Sequence, residues 1–152
     1  MKSDSTFLHE YFMRQAINEA QAAFDKNEVP IGAVVVFNNR IIARAHNLVE
    51  TLNDPTAHAE MQAITSATNA VGGKYLNDCT LYVTIEPCPM CAAACFWAQI
   101  KTLVYGAGDE KRGFTSISGK LLHPQTQTVK GILENEAAAL MIEFFKQKRK
   151  GY

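Results

Sequence analysis

The chain has 152 residues, the size of one ordinary domain, and 47% of them are hydrophobic, which excludes a mostly disordered chain. Lys and Arg number 15 and Asp and Glu number 15, so the formal net charge is zero and a strongly basic, histone-like nucleic-acid binder is excluded. No apolar run approaches a membrane span and the first residues carry no apolar signal core, so a cytoplasmic protein with no membrane attachment is expected.

The sequence contains no internal repeat, low-complexity tract or linker, and residues 1–152 read as a single domain. Residues 7–27 read as a helix, because Phe12, Ala16, Ile17, Ala20 and Phe24 recur on one face. Pro30 ends that pattern. Residues 31–37 and 41–45 are apolar runs around Asn38-Asn39, a turn signal, and together predict a β-hairpin. Asn53-Asp54-Pro55-Thr56 is loop chemistry with a helix cap, followed by a helix over 56–69 that Gly72-Gly73 breaks. Residues 80–85 read as a strand. Pro87 opens a helix that runs to about residue 98, since proline suits the first turn. Residues 103–105 are a strand, 106–128 mostly loop, and 132–148 a final helix with Leu133, Ala137, Leu140, Met141, Phe144 and Phe145 on its apolar side. Strands alternating with helices predict a three-layer α/β domain.

The chemistry concentrates in two short blocks, His58-Ala59-Glu60 and Pro87-Cys88-Pro89-Met90-Cys91. One histidine and two cysteines form a zinc ligand set that leaves a fourth position open. Cys88 and Cys91, three apart in a first helical turn, lie on one face, and the helix N-terminus favours their thiolates. Two residues apart in mid-helix, His58 and Glu60 would point to opposite sides; at a helix start they can converge. A carboxylate beside the open metal position can take a proton from water and return it to a substrate. Of the other cysteines, Cys95 sits about 10 Å along the helix from Cys88, too far to share a tetrahedral ion, and is expected in the core. Cys79 reads as a small buried hydrophobe. His9, His46 and His123 have no partner motif.

H-x-E followed by P-C-x-x-C is the signature of zinc nucleobase deaminases. With EVPIGAVVV, His46-Asn47, DPTAHAEM, TLYVTIEPCPMC, VYGAGDEKRG and GILENEAAAL followed by Phe144-Phe145, nearly the whole chain resembles the tRNA-specific adenosine deaminases. The resemblance implies a cytidine-deaminase-like α/β/α sandwich with a five-stranded mixed sheet and a homodimer with one Zn2+ per subunit. It implies hydrolytic deamination of adenosine to inosine at the wobble position of a tRNA anticodon loop, with no role for DNA. It places Glu60 as the catalytic proton shuttle, His58, Cys88 and Cys91 on the metal, and Asn47 and Ile31 against the base. Asp109 would contact the RNA backbone, and Phe145 is an aromatic suited to stacking on a splayed base. Two features depart from the family pattern: Gly108 replaces a common arginine, and the segment 114–130 is shorter. The basic tail of Lys146, Lys148, Arg149 and Lys150, with Lys111 and Arg112, is the local patch available to phosphates. Two other readings compete. A free-base or nucleoside deaminase, for guanine or cytosine, would share the zinc site. A zinc-stabilised RNA-binding protein without activity would have no need of Glu60.

Overall fold

In the computed structural model, which describes residues 2–151, Asn38 and Asn39 both adopt positive φ (51° and 59°). Asparagine tolerates that conformation, and a pair of such residues makes the two-residue turn whose twist matches a hairpin. The turn joins β1 (Gly32–Phe37) to β2 (Arg40–His46). β1 pairs on its other side with β3 (Thr80–Ile85), also antiparallel. β4 (Thr102–Ala107) and β5 (Gln127–Lys130) then add in parallel, giving a five-stranded mixed sheet in the order β2-β1-β3-β4-β5.

Successive side chains of a strand leave on opposite faces, and here both faces are apolar. Val35, Leu81, Val83 and Leu103 pack with Ala59, Ala63 and Ala67 of α3 (Ala59–Val71) and Cys95 and Ala98 of α4 (Pro89–Ala98). Val34, Val36, Tyr82 and Val104 pack on the other side with Phe12, Met13 and Ala16 of α1 (Asp4–Asp25). Ala137 of α5 (Glu134–Arg149) meets Ile85 and Ala107. Strands buried on both faces read as continuous apolar runs rather than alternating ones, and the layers are those of an α/β/α sandwich. The α1 and sheet layers approach closely at Gly32, where a Cβ would collide with the Ala16 carbonyl and the Ala20 nitrogen. Among the described residues no helix is long and apolar enough to cross a membrane.

Several boundaries differ from the sequence reading. α1 starts earlier, at Asp4, because the Ser3 hydroxyl accepts the Thr6 N–H (3.2 Å) and caps a first turn with little apolar periodicity. α3 starts later, at Ala59, because the Asp54 carboxylate accepts both the N–H and the hydroxyl of Thr56 (2.8 Å each) and keeps 54–56 in a turn. α4 starts at Pro89 rather than Pro87, leaving Cys88 extended. A one-turn helix, α2 (Val49–Leu52), was not foreseen, and neither was β5 inside the Gly/Ser/Thr-rich stretch, where polar residues on an exposed edge carry no apolar signal. On α5, Phe144 is buried, but Phe145 stands 42% exposed and does not join the core face assigned to it.

Candidate active site

His58 and Cys88 occupy the same structural position, the residue just before a helix. Both are extended (φ −71°, ψ 156° and φ −70°, ψ 168°), and neither side chain caps its own helix. The side chains are thus left free while two helix N-termini face the same place, which favours thiolate. Cys91 follows from the first turn of α4. The His58 Nδ1 lies 3.6 Å from Cys88 Sγ and 3.6 Å from Cys91 Sγ, and all three donor atoms fall within 4.8 Å of one another. Tetrahedral zinc, bonded at about 2.0 Å to nitrogen and 2.3 Å to sulfur, holds such atoms roughly 3.6 Å apart. The trio can therefore hold a metal ion as it stands.

The two thiols are shifted in opposite directions. The hydrogen bond from the Cys91 thiol, opposed by burial and helped by the Cys91 N–H and His58, brings the Cys88 thiol down to about 5. Cys91 is pushed up, by donating that bond and by burial. Glu60, on α3 and 3% exposed, has its carboxyl raised by burial to about 7. Because His58 is extended and Glu60 helical, the pair escapes the opposed geometry of two residues inside a helix. Cys95 and Cys79 lie in the core, as expected, and burial pushes both thiols up.

Asn47 is buried, and its N–H donates to the Ile31 carbonyl (3.1 Å), so these two predicted substrate residues are neighbours. The next N–H, of Leu48, donates to Ala57 beside His58 (3.0 Å). Asp109 lies in the loop after β4, where its carboxylate accepts the N–H groups of Lys111 (3.2 Å) and Arg112 (3.0 Å). Phe145 stands on α5, in the layer opposite α3 and α4. The unassigned histidines have structural partners: His46 pairs with Glu19 (2.9 Å), His9 with the Tyr82 hydroxyl (2.8 Å), and His123 accepts the Gln125 N–H (3.2 Å).

Two buried glutamates escaped the sequence reading. Glu28 accepts the N–H groups of Glu50 (3.0 Å) and Thr51 (2.6 Å) and the Thr51 hydroxyl (2.6 Å), fixing the segment between Asn47 and His58. Glu86, just before Pro87-Cys88, accepts from Asp109 and Thr115 on the other side. The only sequence signal for Glu86 is a charge ending the apolar run TLYVTI. A cavity of about 460 Å³ is lined by Glu86, Gly108, Thr115, Lys130 and Glu134 among others; His58, Glu60, Cys88 and Cys91 do not line it.

The MafB19-like deaminase family matches residues 7–149. The tRNA-specific adenosine deaminase of Bacillus subtilis (strain 168) is 47% identical over 146 residues, covering 93% of this chain and 91% of that one. That of Aquifex aeolicus (strain VF5) is 45% identical, covering 92% and 95%. A solved structure from work on A-to-I editing by tRNA:A34 deaminases at the wobble position is 44% identical, with a TM-score of 0.79 over 86% of this chain and 98% of that one. The guanine deaminase of Bacillus subtilis matches less of the chain, with a TM-score of 0.63 over 66% of it and 64% of its own length at 44% identity. Matched from residue 7 to residue 149, and nearly half identical to relatives over most of their length, the chain belongs to the MafB19-like deaminases and, among them, to the tRNA-specific adenosine deaminase family.

Proposed function

We propose that this deaminase, one domain over 1–152, converts adenosine to inosine at the wobble position of a tRNA anticodon by hydrolysis of the amino C–N bond. The observation that carries the chemistry is a buried Glu60 beside a His–Cys–Cys cluster of tetrahedral spacing. His58, Cys88 and Cys91 hold Zn2+, which when bound supplies a Lewis acid that acidifies water. Glu60 takes a proton from water, and burial, which raises its carboxyl, favours the protonated form that gives the proton back. The hydroxide so formed adds at the ring carbon that bears the amino group, and Glu60 delivers the proton to the ring nitrogen. Glu60 then takes the proton of the new hydroxyl and passes it to the amine, so the C–N bond breaks, ammonia leaves and the carbonyl of inosine remains. Asn47 and Ile31 hold the base, while Asp109 and Phe145 meet the flanking RNA. The wobble base is reached by flipping it from a single-stranded loop, which costs less than flipping from a duplex.

The relatives named above support tRNA as substrate; the same site on a guanine deaminase is the competing reading. Purified protein is tested on an anticodon stem-loop beside free adenine, guanine and cytosine. Inosine in the stem-loop is the expected product. Efficient release of ammonia from guanine or cytosine with an untouched stem-loop would replace the reading. The same preparation is expected to run as a dimer, at twice the 16.8 kDa of one chain, and to leave DNA unbound, and the protein in a cell lysate to fractionate with the cytoplasm.

A further inference from the structure

The loop from β4 to the 3₁₀ turn at Phe114–Ser116 is mostly exposed, with little apolar packing of its own. One carboxylate ties both ends of it to the residue that follows β3. Glu86, 7% exposed, accepts the Asp109 N–H on Oε1 (3.1 Å) and both the N–H (3.0 Å) and hydroxyl (2.8 Å) of Thr115 on Oε2. Gly113 lies flat against the carboxylate, where any Cβ would overlap it. The backbone adds two ties: Glu86 N–H to the Ala107 carbonyl (2.8 Å) and Phe114 N–H to the Pro87 carbonyl (2.9 Å). The same residue stands two positions before Cys88. The metal loop and the loop bearing Asp109, Lys111 and Arg112 therefore meet on a single side chain.

We propose that Glu86 is a positioning residue: its carboxylate, latched by Thr115, sets the 107–115 loop against RNA outside the reacting base. This rests on the tRNA reading. The chemistry of the latch makes it sharply testable. Both oxygens of Glu86 face donors, so the near-isosteric Glu86→Gln must turn its NH2 toward an N–H group whichever way it flips. A buried donor left without an acceptor costs enough to change an equilibrium by about tenfold or more. The loop should loosen while Glu60 and the metal ligands stay in place.

The test uses the zinc-loaded full chain. In Glu86→Gln, hydrogen exchange at the Asp109 and Thr115 amides should accelerate by about tenfold or more, while the amides of α3 keep their protection. KM for an anticodon stem-loop should rise by about tenfold, with kcat within roughly threefold and metal content unchanged. Thr115→Val, which puts a methyl in place of the hydroxyl and keeps the N–H donor, should raise KM less, and Thr115→Ser should restore it; this pair carries the test should Glu86→Gln not fold. Unchanged exchange at both amides with unchanged KM overturns the proposal. So does a loss of metal and of kcat at constant KM, which would make Glu86 a support of the metal site alone. If wild-type protein leaves the stem-loop untouched, the tRNA reading fails, and the exchange rates still decide whether the latch holds the loop.

Discussion

At the scale of single residues, Glu60 and Cys88 separate by their failures. Cys88→Ala removes one of the three proposed ligands, so metal content should fall toward zero in elemental analysis, and the thermal midpoint with it, because metal binding and folding are coupled. Glu60→Ala should keep the metal and the fold and lose about a hundredfold or more in kcat. Near-normal turnover in that variant would remove Glu60 from the mechanism. Glu28 makes a different prediction, one of stability. Burial raises its carboxyl, but the Thr51 hydroxyl and the N–H groups of Glu50 and Thr51 win, and it sits below its ordinary 4.5. A carboxyl depressed by folding contributes stability that is complete above the unfolded value near 4.5 and is lost as pH falls through the lower folded one. Wild-type stability should therefore decline below pH 4.5, and Glu28→Gln, destabilised by about 1–3 kcal/mol at neutrality, should decline less steeply there. Parallel urea melts at pH 7 and below 4.5 compare the two slopes. The His58–Cys88–Cys91 cluster and its neighbour Glu60 were legible in the sequence because these residue types are packed into two short blocks with helix-start signals. Glu28 and Glu86 were not, because most of their partners are backbone N–H groups 22 to 29 residues away, and a backbone N–H leaves no mark in a sequence.

At the scale of elements, apolar periodicity found every element that buries a face, and missed those that do not. β5 is short and polar at the sheet edge, and α2 is a single turn with no buried residue, held in place by Glu28. The starts of α1 and α3 shifted where a side chain captured the local N–H groups, Ser3 ahead of α1 and Asp54 ahead of α3. The packing of α1 on β1 offers the sharpest mutational test of an element. Ala16, Ala20 and Gly32 are the small residues that let the two backbones approach, and a methyl on Gly32 meets backbone rather than a movable side chain. Gly32→Ala should cost about 1–3 kcal/mol or more, read as a lower urea midpoint. Wild-type stability in that variant would mean that α1 can move away from the sheet.

At the scale of the whole molecule, a neutral chain that binds RNA must do so through a local concentration of charge. The exposed end of α5 has such a concentration, with Lys146, Lys148 and Arg149 in its last turn and Lys150 just beyond. Removing residues 146–152, of which Tyr152 lies outside the described residues, leaves the buried Phe144 in place. KM for a stem-loop should rise and its dependence on salt should flatten, because fewer counterions are released on binding. Equal salt slopes with and without the tail would reduce it to a solvated helix end. The mixed sheet has one more consequence, in time rather than space. The β1–β2 hairpin closes over two residues, whereas β3 reaches β4 only after the whole of α4, and contacts between distant residues form more slowly. His58 follows the half that can form first, and both thiols belong to the half that must wait. In stopped-flow refolding, metal uptake should trail the first gain of secondary structure, so that the ion seals a finished chain instead of seeding it.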